Sequence, residues 1–214
     1  MTEPSDVSAT RAAYDTVAVD YAKLLRTELA GKPMDRALIA VFRELVQADG
    51  NGMVADIGCG PGRVTAYLDS LGLETFGIDL SPAMVDVARQ AHPTLRFEEG
   101  TMEALVLGDE SLGGIVAWYS IIHTPPERLP LVFAEFARVL ASGGHLLIAF
   151  QAGDEPRHMA HAYGHDIDLD AYRLPLDRIT AMLDNAGLAV QSQLLRAPDE
   201  SEKTPQASLL ARKH

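Results

Sequence analysis

The chain has one cysteine, Cys59, and one tryptophan, Trp118, among its 214 residues. One cysteine excludes an intrachain disulfide and a cysteine-rich zinc site. No apolar run approaches the ~20 residues of a membrane span. Basic residues are also scarce: 18 Lys and Arg face 30 Asp and Glu, for a formal net charge of −12. Nucleic-acid affinity rests on clustered Lys and Arg, and no such cluster is present. The polar, acidic stretch from Met1 to Thr10 does not read as a signal peptide. The expectation is a cytoplasmic protein with neither a membrane nor a nucleic-acid partner.

The informative segment runs from Met53 to Thr65. A short apolar run ends in three alternate glycines, Gly58, Gly60 and Gly62, and a helix-like pattern follows. This reads as a buried strand, a tight turn and a helix N-terminus. Glycine reaches positive φ and lets a ligand approach bare backbone. The helix N-terminus offers unpaired N–H groups to an anion. Beyond it, Phe76-Gly77-Ile78-Asp79 reads as a strand ending in an acid, with Ser81 as N-cap and Pro82 as first helical residue. An acid at this place can accept hydrogen bonds from ribose hydroxyls. Glycine turn and acid together imply an adenosine-containing cofactor. The dinucleotide fingerprint G-x-G-x-x-G needs a glycine at position 63, where this chain has Arg63.

The length suits one domain with a sizeable core. Helices are expected over 8–29 and 33–48, followed by a turn at Gly50-Asn51-Gly52. Strands 53–57, 73–79, 95–98, 114–120 and 144–150 then alternate with helices 62–70, 81–91 and 127–140. Residues 151–174 are polar, histidine-rich and read as irregular. Helix 175–186 and strands 188–196 and 205–212 close the chain, the last two joined by an acidic turn from Pro198 to Lys203. Apolar strands alternating with helices argue for a parallel sheet covered on both faces. The single domain, 1–214, divides into a helical lid (8–48), a cofactor-binding core (52–150), a substrate-side insert (151–174) and a C-terminal helix and hairpin (175–214).

Asp56-Ile57-Gly58-Cys59-Gly60-Pro61-Gly62 resembles the first motif of the class I S-adenosylmethionine (SAM)-dependent methyltransferases. Gly77-Ile78-Asp79-Leu80-Ser81 with Met84 resembles their ribose-binding motif. The likeness continues through Gly100-Thr101-Met102-Glu103, Ala117-Trp118-Tyr119-Ser120 and Gly143-Gly144-His145-Leu146, and covers roughly the whole chain. It implies a Rossmann-like, doubly wound, mostly parallel seven-stranded sheet with helices on both faces and a C-terminal antiparallel hairpin. It also implies SAM as cofactor, with S-adenosylhomocysteine as product. On this resemblance Gly58 and Gly60 pass under the methionine part, Asp56 orients that region and Asp79 holds the ribose. Leu80 and Met84 flank the adenine. Thr101 stands where the family often has an acid, so Met102 or Glu103 takes over that subsite. Trp118 or Tyr119 lines the cofactor pocket. The first helix lies over the cofactor, with Tyr14 and Tyr21 on one face and Tyr14-Asp15 at the methionine carboxylate.

His123, at the carboxyl end of the fourth strand, is the candidate base, since an imidazole pKa near 6.5 suits proton abstraction around neutrality. Capping the turn before Pro125 and shaping the pocket are its competing roles. Cys59 is read as a small buried filler, and His145 as structural or exposed. His158, His161 and His165 would share one face of a helix, but with Asp166, Asp168 and Asp170 they match no metal-ligand order, so no metal is expected. The insert is expected to cover the acceptor. His161, Tyr163, His165, Tyr172 and Arg173 are its substrate-side candidates, with Arg173 able to fork onto a carboxylate. The reading is methyl transfer to an oxygen or nitrogen, ahead of carbon, of a small-molecule acceptor by a monomer or homodimer. An NAD-dependent oxidoreductase and a non-catalytic SAM-binding protein stand as alternatives.

Overall fold

The computed structural model describes residues 4–50, 52–200 and 202–214. Residues 1–3, Asn51 and Ser201, which fall in the expected polar N-terminus and two expected turns, lie outside them. Two helices come first, Ser5–Leu25 (α1) and Pro33–Ala48 (α2). Then Val54–Ile57 (β1), Arg63–Ser70 (α3), Thr75–Asp79 (β2), Pro82–Ala91 (α4) and Arg96–Glu99 (β3) alternate. Leu112–Trp118 (β4), Leu129–Val139 (α5) and Leu140–Gln151 (β5) follow. The chain closes with Pro156–Ala162 (β6), His165–Tyr172 (β7), Leu176–Asn185 (α6), Leu188–Arg196 (β8) and Gln206–Lys213 (β9).

Seven strands form one sheet in the order β3-β2-β1-β4-β5-β9-β8. The first five are parallel, and β9 runs antiparallel between β5 and β8. The central strands are buried and mostly apolar because both faces are covered, Asp56 and His145 being the buried polar exceptions. On one face Ala55, Ile57, Ile115 and Ile148 pack under α5 and α6. On the other, Val54, Val116 and Leu147 pack under α2 and α3. This is the doubly wound architecture expected from the sequence. Ligand sites in such sheets lie beyond the carboxyl ends of the strands, where the order reverses, here between β1 and β4.

The predicted starts of α2 at Pro33 and α4 at Pro82 hold. Ser81 caps α4, its Oγ accepting the Met84 N–H at 3.1 Å. Three expectations need correction. The first helix begins at Ser5 and ends at Leu25, with a separate 3-10 turn at Leu29–Gly31. β5 begins at Leu140, directly after α5, rather than at 144. The insert is not irregular: β6 and β7 form an antiparallel two-stranded ribbon. Tyr163 and Gly164 turn it, both at positive φ, as a two-residue hairpin turn requires. Among the described residues no helix is long and apolar enough to cross a membrane.

Candidate functional site

The turn after β1 holds Gly58, Gly60 and Gly62 at φ of 75°, 53° and 79°. Their surroundings differ. A Cβ on Gly58 would sit 2.2 Å from the Ser120 Cβ, whereas one on Gly60 would meet nothing nearer than the Tyr21 ring at 3.9 Å. Gly58 therefore serves close packing, and Gly60 leaves open space above the turn. The Gly60 N–H donates to Asp79 Oδ2 at 2.7 Å, and the Ser81 N–H to Asp79 Oδ1 at 2.9 Å. Asp79 thus ties the glycine turn to the start of α4. Burial pushes its carboxyl up to about 6. Each oxygen keeps acceptor capacity, since a carboxylate has about four lone-pair positions.

A cleft with a cavity volume of about 100 Å³ opens over this turn. Gly58, Gly60, Asp79, Leu80 and Met84 line it, together with Thr101, Met102 and Glu103 after β3 and Trp118 and Tyr119 at the end of β4. Tyr14 and Tyr21 of α1 form part of its roof, and His123 part of its far wall. The sequence reading missed Asp6, Val7, Thr10, Gly100, Ser120 and Thr124, which also line it. Tyr119 is held at φ 57°, an uncommon conformation for a bulky residue. Its N–H donates to the Ala149 carbonyl at 2.9 Å, and its ring meets Trp118 edge-on at 5.9 Å.

Two residues assigned to cofactor contact lie elsewhere. Asp56 is fully buried beneath the turn, because its strand is covered on both faces. It accepts the Thr65 hydroxyl at 2.6 Å and so fastens α3 to β1. Asp15 faces α4, not the cleft. It accepts from the Ser81 hydroxyl at 2.6 Å and the Ala83 N–H at 3.2 Å. A carboxylate at a helix N-terminus is favoured there, so Asp15 pins α1 down. A second tie was not foreseen. Arg128 bonds both oxygens of Asp6 at 2.6 Å and also Glu103, joining α1 to the loop after β3.

His123 is half-buried, and desolvation lowers its pKa below the ordinary value, so it is neutral at pH 7. Nδ1 lies 2.8 Å from the Asp170 backbone carbonyl. A carbonyl only accepts, so Nδ1 carries the proton. Nε2 is then the acceptor, and the Tyr14 hydroxyl donates to it at 2.7 Å. Burial holds the Tyr14 phenol well above its ordinary pKa. The aromatic row continues edge-on to Tyr21, 5.8 Å from Tyr14, and to Tyr163, 5.0 Å from Tyr21.

Tyr14, Tyr21, Tyr119 and His123 also line a second, larger cavity of about 640 Å³ that opens toward the ribbon. Strand alternation decides which insert residues reach it. Arg157 pairs with Ala171, and both line the cavity, as do Met159, Tyr163 and Arg173. His158 pairs with Asp170 and Pro156 with Tyr172 on the opposite face. Of the insert candidates, Tyr163 and Arg173 are therefore at the cavity, while His161, His165 and Tyr172 are not. His161 pairs with Asp166 at 3.0 Å on the exposed surface. His165 reaches Asp20 at 2.9 Å and ties the ribbon to α1. The three-and-four histidine spacing makes one face only in a helix, and this segment is extended. Among the described residues no group of three or more His, Cys, Asp or Glu is arranged to hold a metal ion. Cys59 is buried, and the buried His145 bonds Asp49 at 2.9 Å.

Residues 54–144 match the family model of a methyltransferase domain. An uncharacterized methyltransferase of Mycobacterium tuberculosis is 34% identical over 122 residues, covering 54% of this chain and 48% of that protein. A demethylmenaquinone methyltransferase of Chlorobaculum parvum is 27% identical over 166 residues, 77% of this chain and 64% of its own length. The chain thus spans about half the length of the mycobacterial relative. In fold it is similar to the magnesium protoporphyrin IX methyltransferase of Synechocystis PCC 6803 crystallised with SAM, with a TM-score of 0.73 and 18% identity over 100% of both chains. The 1,6-didemethyltoxoflavin-N1-methyltransferase of Burkholderia thailandensis, bound to 1,6-didemethyltoxoflavin and S-adenosylhomocysteine, also gives a TM-score of 0.73 at 19% identity, over 100% of this chain and 91% of that one.

Proposed function

We propose that this chain, a member of the class I SAM-dependent methyltransferase family, transfers a methyl group from SAM to an oxygen or nitrogen of a small-molecule acceptor. One observation carries the reading: two cavities meet at a wall shared by Tyr14, Tyr21, Tyr119 and His123. One suits a cofactor, the other an acceptor, and methyl transfer needs the two ligands end to end. The cleft's residues fit SAM. Gly60 leaves room above the turn, and the Asp79 carboxylate faces the cleft with spare acceptor capacity.

When bound, SAM supplies an electrophilic methyl on a sulfonium. The chain's work is to align the acceptor, exclude water and take a proton. α1 covers the cleft and is held shut by Asp15 and Arg128. The neutral Nε2 of His123 is the proton acceptor, and the Tyr14 hydroxyl, at the same shared wall, donates to it. An acceptor O–H or N–H donating to the Tyr14 oxygen passes its proton there as Tyr14 passes its own to Nε2. The Asp170 carbonyl fixes the ring and favours the imidazolium that forms. The acidic composition supports a small-molecule acceptor in place of a nucleic acid, and the single cysteine, which permits no intrachain disulfide, is compatible with action in the cytoplasm.

The test is a calorimetric titration with S-adenosylhomocysteine, with NADH in parallel. Saturable binding of the former and none of NADH is expected. Binding of NADH alone would remove the methyltransferase reading.

A further inference from the structure

The chain carries a net charge of −12, yet its larger cavity is lined the other way. Lys32, Arg63, Arg157, Arg173 and Lys203 face two carboxylates, Glu28 and Glu202. Both carboxylates are already matched. Glu28 takes Arg63 at 2.5 Å, and Glu202 takes Lys32 at 2.8 Å and Arg196 at 2.5 Å. What is left over is positive. Arg157 and Lys203 have no carboxylate partner among the described residues. Arg173 spends Nη1 on Glu155, whose side chain is 75% exposed, while its Nε is buried with no hydrogen-bond partner. A buried guanidinium N–H left unmatched is costly, and a planar fork of this kind suits a carboxylate or phosphate.

The ribbon register sets the geometry. Arg157 lies opposite Ala171, and Arg173 is two residues further on, so both arginines share the face turned to the cavity. Tyr14 and His123 stand at its other boundary, shared with the cofactor cleft. We propose that the methyl acceptor is an anion, a carboxylate or phosphate ester held at Arg157 and Arg173 with its nucleophilic end toward Tyr14. This rests on the methyltransferase reading above. An acidic protein with a locally positive cavity also draws such an acceptor in electrostatically.

The experiment uses the full chain saturated with S-adenosylhomocysteine and three matched probes: benzoate, phenyl phosphate and the neutral benzamide. Binding is followed by saturation-transfer NMR. At least tenfold tighter binding of benzoate or phenyl phosphate than of benzamide is expected, and whichever leads separates the carboxylate from the phosphate source. The preference should vanish in an Arg157→Gln, Arg173→Gln double variant. If that variant fails to fold, Arg157→Gln with Lys203→Gln, both exposed positions, serves instead. Equal binding of the three probes, no binding of either anion, or a preference that survives the substitutions overturns the proposal. The S-adenosylhomocysteine titration on the same sample reports separately on the cofactor. Its failure beside an intact anion preference would sink the methyltransferase reading and leave the cavity's charge selectivity standing.

Discussion

The Tyr14 hydroxyl donates to His123 Nε2 at 2.7 Å, across 109 residues of sequence. The contact joins the covering helix to the end of the fourth strand, so closing α1 also assembles the proton acceptor. Tyr14→Phe keeps the ring packing against Tyr21 and removes only the hydroxyl. His123→Gln keeps polarity but cannot accept a proton. Each should lower kcat by about 10²–10⁴-fold, the usual worth of general-base help. S-adenosylhomocysteine affinity should stay within a few-fold of the parent. His123→Gln should also flatten the acid limb of the kcat–pH profile. Full turnover in either variant would remove the relay and leave the methyltransferase assignment intact.

How much of this was legible in the sequence follows from where the signals lie. β4 and the 146–150 part of β5 are apolar runs, and β1 is apolar but for Asp56, because both sheet faces are covered, and such segments are readable one at a time. Gly58, Gly60 and Asp79 form a local motif for the same reason. The ribbon escaped because its outer face is polar and its histidines imitate helical spacing. The signal that would have found it is Ile167-x-Leu169-x-Ala171, a period-two pattern beyond the Tyr163-Gly164 turn. The Arg128–Asp6 tie and the convergence of Arg157 and Arg173 with Lys203 join distant segments, and only the fold brings them together.

The glycine turn predicts two different failures from one kind of substitution. Gly58→Ala adds left-handed strain and a steric conflict with Ser120 at 2.2 Å. Strain and overpacking together cost on the order of 3 kcal/mol, or roughly 6–12 °C in Tm for a chain of this size. Gly60→Ala meets no such conflict, so its cost is the strain, about 1 kcal/mol and roughly 2–4 °C. Its methyl, however, projects into the space above the turn. Thermal melts should rank Gly58→Ala well below Gly60→Ala, while calorimetry should show Gly60→Ala folded and at least tenfold weaker for S-adenosylhomocysteine. Equal melting temperatures would mean that Ser120 yields.

Asp79 links cofactor binding to protons. An unfolded aspartate titrates near 3.9, and burial raises Asp79 to about 6 in the folded chain. Between about pH 4 and 6 the folded state therefore holds more protons than the unfolded one. The stability from this group is full below pH 4 and lost as pH rises through 6. Ribose hydroxyls donating to the carboxylate favour its ionised form, so binding pulls the folded pKa back down. At pH 5.5, S-adenosylhomocysteine should then release a proton, and affinity should rise up to about pH 7. Asp56 is also raised to about 6 by burial, but it lies beneath the turn and bonds Thr65, so its protonation should not change with ligand. Calorimetry at pH 5.5 in two buffers of different ionisation enthalpy separates the cases. The apparent binding enthalpy should depend on the buffer for the parent chain and not for Asp79→Asn. That variant should also bind more weakly, because an amide nitrogen cannot accept the Gly60 or Ser81 N–H. A buffer-independent enthalpy in the parent would mean that the ligand leaves Asp79's protonation unchanged, and the ribose contact would have to be reassigned to other groups lining the cleft.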